Sequence, residues 1–282
     1  MGIPPRVSIV ITSCNQSKYI KQAILSALQQ VYENKEIILV DDGSTDGSLA
    51  IIEEFKQKNK VLSFPKPHSS GFARNRGIEA ATGDFVLCLD GDDYIKPNYL
   101  SQTVPLMLRS PHIGVVYTDC LQYIEDVANF VYKHFQPFCR NMLLQYNFIH
   151  NGSLFRRKLA LKVGLQNESL LLLEDYDFWL RLTTYSYAYY LPDALYVYRI
   201  HGRNKSLHNR REQKILMKKI ASNYRKVIPV LIREEDHNQV YEVRNSVKYL
   251  IPSRQKFESL RYQWGHVVSV DPRLFRMYHS LK

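Results

Sequence analysis

Apolar and polar positions along the first 125 residues follow two alternating patterns. Short runs in which nearly every residue is apolar predict buried strands, and stretches with apolar residues three and four positions apart predict amphipathic helices. The predicted strands are residues 7–12, 36–40, 61–64, 84–89 and 115–123. The predicted helices are residues 19–30, 46–58, 74–81 and 99–108. Apolar strands that alternate with helices indicate a mostly parallel sheet covered on both faces, so the pattern predicts a doubly wound α/β fold.

The pattern becomes mixed after residue 125 and changes in character near His208. Before that point it predicts four strands, at residues 130–135, 152–156, 187–191 and 195–200, and two helices, at residues 157–163 and 175–184. After it the strand pattern stops, and residues 213–227 form a helical pattern with Leu216 and Ile220 on one face and Lys214 and Lys218 on the other. We therefore predict an α/β domain over residues 1–207 and a basic helical extension over residues 208–282.

The charge distribution supports the same division. The 282 residues are 45% hydrophobic and 23% charged, proportions of a globular protein with a core, which excludes a disordered or coiled-coil chain. Residues 1–200 contain 20 basic and 20 acidic side chains, whereas residues 201–282 contain 18 basic and 7 acidic ones. The net charge of +11 therefore lies in the last 82 residues, which include the predicted extension, and this indicates an anionic partner for that part of the chain.

Targeting signals and cysteine spacing bear on the cellular compartment. No apolar run approaches the roughly 20 residues that span a bilayer, and the N-terminus lacks the pattern of a secretion signal. The four cysteines have no metal-binding or redox spacing, so we expect reduced thiols. We expect a cytoplasmic protein, and the basic extension leaves open a peripheral contact with the inner face of the membrane.

Polar side chains follow three of the predicted strands. The first strand leads into Ser13, Cys14 and Asn15, the second into Asp41-Asp42-Gly43-Ser44, and the fourth into Asp90-Gly91-Asp92-Asp93. In open α/β sheets ligands bind beyond the carboxyl ends of the strands. A carboxylate pair such as Asp90 and Asp92 suits Mg²⁺ or Mn²⁺ that also contacts the phosphates of a substrate. An isolated pair of this kind is more often an acidic turn, but its position after a buried strand favours the metal.

Other nucleotide and nucleophile signatures are absent. The sequence has no GxGxxG and no GxxxxGK[ST], which disfavours dinucleotide and P-loop sites. It also has no GxSxG elbow and no cysteine–histidine arrangement that indicates a nucleophile.

Longer strings around these strand ends resemble family 2 glycosyltransferases. They are VSIVITSCNQSKYI, EIILVDDGSTDGS and SGFARNRGIEAATGDFVLCLDGDDYIKP, followed by NGSLFRR, LLEDYDFWLRL and YRIHGRNKS. The resemblance covers about residues 6–206 and implies a Rossmann-like GT-A fold. Within it, residues 1–110 would bind the nucleotide sugar and residues 111–207 the acceptor.

The resemblance implies an activity and its substrates. It implies a metal-dependent inverting transfer of a sugar from a nucleotide diphosphate sugar, most often a UDP-sugar, with Mn²⁺ or Mg²⁺ as cofactor. The acceptor would be a hydroxyl of a glycan or a lipid-linked saccharide, in the synthesis of envelope or surface polysaccharide.

The resemblance also implies roles for residues of the donor half. Thr12, Asn15 and Asp42 would line the pocket of the nucleobase. Asp42 could instead be a turn residue before the following helix, and Asp41 could take that structural place. Arg74 would lie near the base or the phosphates, unless it is an exposed charge at a helix start.

At the DxD turn, the resemblance places Asp90, Gly91 and Asp92 at the donor. Asp92 would bind the metal directly, Asp90 would contact the ribose or reach the metal through water, and Asp93 would position the loop. Arg199 would bind the diphosphate and His201 would complete the metal shell. A lone histidine near a loop is as often structural, so both readings of His201 stay open.

The catalytic base is implied to be Asp175. Its carboxylate would accept the proton of the acceptor hydroxyl, and burial would raise its pKa toward neutrality. Acidic residues at the start of a helix also stabilise the helix dipole, which is the alternative explanation for Asp175. Glu174 and Asp177 are rival bases. Trp179 could stack on a sugar, but its helical spacing favours the core.

Two other classes of function and two roles for the extension remain open. A sugar nucleotidyltransferase would need a glycine-rich basic loop after the first strand, and this chain has none there. A non-enzymatic protein could bind nucleic acid or another anionic ligand through the basic extension. Nucleic acid is disfavoured, because the acidic crevice would repel phosphates. The extension could bind anionic lipid or could pack on the catalytic domain.

Overall fold

The first half of the protein has the predicted alternation of strands and helices. The structure is a computed structural model that describes residues 4–204, 210–224 and 229–280. Its first ten elements are β1 (Val7–Ser13), α1 (Ile20–Leu28), β2 (Lys35–Asp42), α2 (Ser48–Glu53), β3 (Lys60–Phe64), α3 (Ser70–Ala80), β4 (Phe85–Asp90), β5 (Tyr94–Ile95), α4 (Tyr99–Arg109) and β6 (Ile113–Ile124). Each strand and helix predicted there is present, although α2 is shorter than predicted and α3 begins four residues earlier.

The middle of the chain completes the same sheet. Its elements are β7 (Asn129–Lys133), α5 (Arg140–Leu143), β8 (Leu154–Arg156), α6 (Arg157–Val163), α7 (Glu174–Leu182) and β9 (Tyr187–Ile200). The two strands predicted at residues 187–191 and 195–200 are one strand. Its pairing with β6 shifts between Leu191 and Ala194, where Pro192 has no N–H to donate to a neighbouring strand.

The sheet order brings three strand ends to one edge. The main path is β3-β2-β1-β4-β8-β6-β9-β5, and β7 pairs with β6 at the side. β1 lies between β2 and β4 and is parallel to both, with Ser13 opposite Asp41 and Thr12 opposite Asp90. The loops that follow β1, β2 and β4 therefore begin at the same level. The fold confirms the predicted GT-A type doubly wound sheet.

Close packing of α3 against β1 positions the helix that carries Arg74. A Cβ atom on Gly77 would lie 2.1 Å from Cγ1 of Val10, so glycine lets α3 approach the sheet more closely than any other residue would. All seven residues of β1 are buried, and Ile20, Ala23, Ile24 and Ala27 bury one face of α1 above it. The first half of the domain therefore has a closely packed core, and its strands lead into polar loops.

The C-terminal part contains a second sheet, which corrects the predicted helical extension. Its elements are α8 (Arg210–Ser222), β10 (Val230–Glu234), β11 (Tyr241–Arg244), β12 (Val247–Leu250), α9 (Arg254–Ser259), β13 (Val267–Val270), α10 (Pro272–Met277) and β14 (His279–Ser280). The strand order is β13-β10-β11-β12-β14. The helical prediction is confirmed for α8 and is wrong for most of residues 230–280, where the strands β10–β14 accompany the short helices α9 and α10. The predicted boundary after residue 207 lies outside the described residues, as do residues 225–228.

The sequence signal for this sheet is weak for a physical reason. Its strands are two to five residues long and several of their positions are charged or exposed, so apolar alternation is hard to see. The clearest signal is the turn between β11 and β12, where Asn245 and Ser246 have φ values of 49° and 62°. Two consecutive residues with positive φ form the tight turn that suits a β-hairpin, and asparagine tolerates that conformation well.

The second sheet packs on the first. The hydroxyls of Tyr187 and Tyr278 lie 2.8 Å apart in the buried contact, and Tyr278 also donates to the carbonyl oxygen of Phe138 at 3.0 Å. Arg109 pairs with Glu235 at 2.9 Å nearer the surface. Of the two roles considered for the extension, packing on the catalytic domain describes residues 230–280. No helix within the described ranges is long and apolar enough to cross a membrane.

Candidate active site

Asp90 is the centre of a hydrogen-bonded cluster at the end of β4. Arg74 donates to Asp90 Oδ1 from Nη2 at 2.8 Å and from Nε at 3.2 Å. Asn151 donates to the same carboxylate, 3.2 Å from Oδ1 and 3.3 Å from Oδ2, and the Thr12 hydroxyl lies 3.5 Å from Oδ1. Three of the predicted site residues, Thr12, Arg74 and Asp90, are thus brought together.

Arg74 joins the two halves of the domain. Its Nη1 donates to Glu174 at 2.7 Å and to Gln166 at 3.2 Å, while its other nitrogens bind Asp90. The side chain is 6% exposed, which excludes the alternative of a solvated charge at a helix start. Burial alone would lower the pKa of Arg74, but the charges of Asp90 and Glu174 outweigh it and raise that pKa. The guanidinium therefore stays charged and holds two carboxylates together.

Asp92 and His201 form a second pair at the same edge. His201 Nε2 lies 3.0 Å from Asp92 Oδ2, and the Tyr19 ring stacks on the imidazole with 4.9 Å between centroids. The backbone N–H of Arg203 donates to His201 Nδ1, so Nε2 carries the proton and donates to Asp92. Burial and the charge of Asp90 raise the pKa of Asp92, and the hydrogen bond from His201 opposes this rise.

This pair fits a divalent cation. Asp92 offers one carboxylate, and His201 offers Nε2 only in the other neutral tautomer, with its proton on Nδ1 and the contact with the Arg203 N–H given up. In that tautomer the donor set suits Mn²⁺, with further ligands left to substrate phosphates and water. Both oxygens of Asp90 accept hydrogen bonds from protein groups, so Asp92 and His201 are the better direct ligands of the three predicted. Within the described ranges no three His, Cys, Asp or Glu side chains are placed to hold an ion by themselves.

Asp93 and Arg199 stabilise the DxD turn through hydrogen bonds. Asp93 is buried and accepts from the Tyr196 hydroxyl at 2.5 Å and from the Arg199 N–H at 2.8 Å. Burial and the neighbouring aspartates raise the pKa of Asp93 well above its ordinary value. The Arg199 guanidinium donates to the carbonyl oxygen of Asp92 at 2.9 Å and lies 4.8 Å from the Tyr19 ring centroid. These contacts give Arg199 a positioning role, and its predicted contact with a diphosphate stays a prediction.

Gly91 is the residue of the DxD turn where space is most limited. A Cβ atom there would lie 2.5 Å from Oε1 of Gln16 and 2.9 Å from the carbonyl oxygen of Thr12. We expect Gly91→Ala to push the turn away from β1, to cost about 1–3 kcal/mol of stability, and to weaken nucleotide binding. Urea denaturation and nucleotide titration measure both effects. Gly202→Ala is the control, since nothing lies within 4 Å of its added Cβ. Equal behaviour of the two variants would contradict the expectation.

The predicted base pocket lies where the loops after β1 and β2 meet. Asn15 has a φ of 55° and ties the loops together, because its Oδ1 accepts from the Thr45 N–H at 2.8 Å. Asp42 is buried, and both of its oxygens are bound by His68, through the backbone N–H at 2.9 Å and Nδ1 at 2.8 Å. The His68 ring stacks on Phe72 with 4.0 Å between centroids. His68 thus belongs to the same cluster as the predicted residue Asp42, and no sequence spacing indicated it.

The three acidic residues at the start of α7 differ in their partners. Glu174 is bound to Arg74, and Asp177 accepts from Arg181 at 2.9 Å and from the Tyr224 hydroxyl at 2.8 Å. Among the residues that the structure describes, Asp175 has no ion-pair partner and accepts from the Asn147 side chain at 3.0 Å and the Tyr176 N–H at 2.7 Å. Burial of its carboxyl and the charge of Glu174 raise the pKa of Asp175 to about 7. Among these three, Asp175 has the properties of a proton acceptor near neutral pH.

The loop before β8 connects this base to the DxD turn. Asn147 binds Asp175 and Asn151 binds Asp90, so one short segment contacts both sites. Asn147 carried no sequence signal, whereas Asn151 opens the string NGSLFRR. Trp179 is fully buried, which agrees with a core residue and excludes stacking on an acceptor. Hydrogen bonds through Glu174, Asn147 and Asn151 therefore connect Asp175, Arg74 and the DxD turn.

Comparison with known proteins agrees with this arrangement. The sequence model of glycosyl transferase family 2 matches residues 8–164, more than half of the chain. An uncharacterized glycosyltransferase of Haemophilus influenzae is 28% identical over 232 residues, which are 77% of this chain and 72% of that protein.

Solved structures share the fold. The S. aureus TarS fragment 1–349 in complex with UDP-GlcNAc superposes with a TM-score of 0.64 at 21% identity, over 78% of this chain and 66% of that one. The mannosyltransferase PcManGT from Pyrobaculum calidifontis, in complex with GDP-Man and Mn²⁺, has a TM-score of 0.64 at 18% identity, over 80% of this chain and 66% of that one. This chain thus spans slightly less than two thirds of those solved chains.

The family match excludes the sugar nucleotidyltransferase and the non-enzymatic protein as readings of the α/β domain. From residue 8 onward, the matched residues include the strings around the ends of β1, β2 and β4 with Arg74, Asp90 and Asp92; the match ends before Asp175, Arg199 and His201. The chain is a glycosyltransferase and belongs to glycosyl transferase family 2.

Proposed function

We propose that this enzyme transfers a sugar, with inversion and with a divalent metal, from a nucleotide diphosphate sugar to a hydroxyl of a saccharide acceptor. The proposal rests on the properties and the position of the Asp175 carboxyl. Its pKa is raised to about 7, and the contacts of Glu174 and Arg74 link it to the strand ends of the donor half. A direct displacement requires a base with a pKa near neutrality close to the site of the donor.

The proposed step is a single displacement at the anomeric carbon. The acceptor hydroxyl oxygen forms a bond to that carbon while the bond to the diphosphate oxygen breaks, and the leaving diphosphate takes the electron pair. The hydroxyl oxygen attacks the anomeric carbon from the face opposite the leaving group, which gives inversion. Asp175 accepts the proton that the hydroxyl loses. Asp92 and His201 would hold the divalent cation, which when bound offsets the charge that develops on the diphosphate.

The donor is proposed to bind at the ends of β1, β2 and β4, with Thr12, Asn15 and Asp42 near the base. The solved relatives were crystallised with UDP-GlcNAc and with GDP-Man, so they support a nucleotide sugar more strongly than they support one nucleotide. We propose a UDP-sugar, with the Asp42 carboxylate accepting the N3–H of uracil. His68 shares this carboxylate and would have to leave a lone pair free for the base.

The test is calorimetric titration of UDP, GDP and dTDP, each with and without Mn²⁺, on the wild type and on Asp92→Asn. We expect one nucleotide to bind in the presence of Mn²⁺ and the variant to lose at least tenfold in affinity. Asp126→Asn, an exposed carboxylate in the turn between β6 and β7, is the matched control and should bind as the wild type does. Metal-independent binding that Asp92→Asn leaves unchanged would refute the metal assignment.

The acceptor is proposed to be a glycan or a lipid-linked saccharide used in envelope or surface polysaccharide synthesis. Support comes from α8, whose Arg210, Arg211, Lys214, Lys218 and Lys219 are exposed and suit an anionic surface. We propose a cytoplasmic enzyme that reaches such acceptors at the inner face of the membrane.

A further inference from the structure

The positive charge of the protein is concentrated around α8. Residues 201–228 contain nine basic side chains and one acidic side chain, whereas residues 229–282 contain nine basic and six acidic ones. Most of the net charge of +11 therefore lies in the segment that includes α8 and not in the second sheet that follows it.

One side of α8 packs on the protein and the opposite side is exposed. Ile220 is buried, Leu216 and Met217 pack against the core, and the Tyr224 hydroxyl, beyond the helix end, donates to Asp177 at 2.8 Å. At about 3.6 residues per turn, the three apolar side chains share one face of the helix. The other face carries five exposed cations, which are Arg210, Arg211, Lys214, Lys218 and Lys219.

These cations have no ion-pair partner within the part of the chain that the structure describes. The ion pairs there join other side chains, such as Arg109 with Glu235 and Arg181 with Asp177. Glu212 is the one acidic residue of α8, so the helix does not balance its own charge. Because like charges on one face repel each other, an anionic surface that neutralises them is favoured. The exposed face of α8 is thus complementary in charge to such a surface.

Ile215 lies within the exposed face and is 62% exposed. Arg211 and Lys219 lie one turn before and one turn after it, and Lys218 lies three positions further along the helix. Water surrounds this aliphatic side chain at a cost in free energy. In the interfacial layer of a bilayer it could be buried while the neighbouring cations contact the headgroups.

We propose that the exposed face of α8 docks the enzyme on a bilayer that contains anionic lipids, with Ile215 entering the layer of headgroups. Each of the five cations adds to the attraction at such a surface. The inference rests on the membrane-linked acceptor of the proposed function, and it names the surface that brings the enzyme to that acceptor. It concerns binding alone, since no step of sugar transfer passes through α8.

A bilayer fits this face better than a nucleic acid does. Proteins that bind single-stranded nucleic acid combine cations with aromatic side chains on which the bases stack. The 13 residues of α8 include no aromatic residue, and the apolar side chain on the exposed face is Ile215. Cations around one aliphatic side chain match a layer of anionic headgroups above hydrocarbon.

Docking through α8 also orients the catalytic domain. The hydrogen bond between Tyr224 and Asp177 joins the end of α8 to α7, which begins with Glu174 and Asp175. The helix that carries the proposed base therefore keeps a fixed position relative to the docked surface.

The first test is sedimentation of the full chain with lipid vesicles in the absence of nucleotide. Wild type should sediment with vesicles of phosphatidylglycerol and phosphatidylcholine in equal parts, and added NaCl should release it. It should stay in solution with vesicles of phosphatidylcholine alone. Lys214→Glu/Lys218→Glu should weaken the binding by about tenfold or more, because two attractive charges become repulsive. Equal binding of wild type to the two kinds of vesicle would overturn the proposal.

Lys56→Glu/Lys58→Glu is the matched control. It changes the net charge by the same amount, and both side chains are exposed after α2, where Lys56 pairs with Glu53 at 2.7 Å. Its binding should stay within about twofold of that of the wild type, since the attraction acts only within a Debye length of the lipid. Equal losses in the two double variants would mean that binding follows net charge alone, which would overturn the assignment to α8.

A second pair of variants tests the insertion of Ile215. Ile215→Ser should weaken the binding about three- to tenfold, because the aliphatic side chain leaves water on docking. Leu108→Ser is the matched control, since Leu108 is 58% exposed on α4, and it should bind as the wild type does. If Ile215→Ser bound as tightly as the wild type, Ile215 would not enter the bilayer.

Single-stranded RNA is the remaining comparison. If the chain bound poly(U) and did not sediment with the anionic vesicles, the surface would belong to a nucleic acid and the proposal would fail. The sedimentation assay contains neither donor nor acceptor, so its failure leaves the proposed transfer reaction intact. An inactive enzyme that still sediments with anionic vesicles would leave the docking surface intact.

Discussion

Asp175→Asn should lower kcat for sugar transfer by about 10²–10⁴-fold, the usual contribution of a general base. Asparagine keeps the shape of the side chain, and its Oδ1 can accept from the Tyr176 N–H, but its amide nitrogen would face the donating amide of Asn147. It cannot accept the proton of an acceptor hydroxyl. Nucleotide affinity should stay within about twofold of the wild type, because the change is on the acceptor side. Steady-state kinetics and calorimetric titration measure the two quantities separately.

Asp177→Asn is the control for this variant. Asp177 has the same chemistry two positions along α7, but Arg181 and Tyr224 occupy its oxygens. Its replacement should lower stability slightly and leave kcat within a few-fold. If Asp177→Asn were as inactive as Asp175→Asn, the assignment of the base would be wrong.

The pH dependence of the wild type follows from the same group. A base with a pKa of about 7 is protonated in acid, so kcat/KM should fall about tenfold per pH unit below pH 7 and should level off above it. Stability should move in the opposite direction. The pKa of Asp175 is higher in the folded state than the ordinary value of about 4, so the folded state binds the proton more tightly. This contribution to stability is present below pH 4 and is lost as the pH rises toward 7.

Asp175→Asn should therefore be more stable than the wild type at pH 8 and nearly equal to it at pH 4. Urea denaturation at the two pH values checks the sign. If the difference in stability between variant and wild type were the same at pH 4 and pH 8, the Asp175 carboxyl would have the same pKa in the folded and unfolded states.

Arg74→Met should destabilise the protein by about 3–5 kcal/mol, the cost of removing one partner from buried ion pairs. The variant leaves Glu174 without its cation and removes two hydrogen bonds from Asp90. Arg76→Met is the matched control on the same helix. Its ion pairs with Glu79 and Glu168 are near the surface, so it should cost about 1 kcal/mol or less. Urea denaturation measures both variants.

A double variant tests the reason for this effect. Adding Glu174→Gln to Arg74→Met removes the unpaired charge and should recover part of the lost stability. If stability were not recovered, the loss would come from the packing of the Arg74 side chain and not from the unpaired charge of Glu174.

The first half of the domain could be predicted well because its strands and the polar residues that follow them are adjacent in sequence. Each strand is a single apolar run, and the residues that follow it are adjacent in sequence to the strand that places them. Parallel pairing of β1 with β2 and β4 then brings Asn15, Asp42 and Asp90 to one edge without any knowledge of side-chain contacts. The DxD turn and Asp175 were identifiable for this reason and through the family strings.

The rest depends on contacts between distant parts of the chain. Glu174 is 100 positions from Arg74, and Asn151 is 61 positions from Asp90, so no spacing rule connects them. His68 binds Asp42 from a loop that has no periodic pattern. The second sheet was missed because its strands are too short and too charged to show alternation. The contacts of His68 and Asn151 depend on partners that are distant in sequence, so the sequence pattern could not indicate them.

The contacts around Asp90 have a consequence for the order in which the protein acquires activity. Arg74, Asp90, Asn151 and Glu174 come from α3, the end of β4, the loop before β8 and the start of α7, so the cluster closes only when these four segments have all docked. Contacts that span so much chain form late, because the entropy of closing long loops opposes them. A partly folded chain would have the strand-end carboxylates without the cation that holds them in place. Activity should therefore appear in the last kinetic phase of refolding, and a nascent chain should stay inactive until α7 has been synthesised and docked.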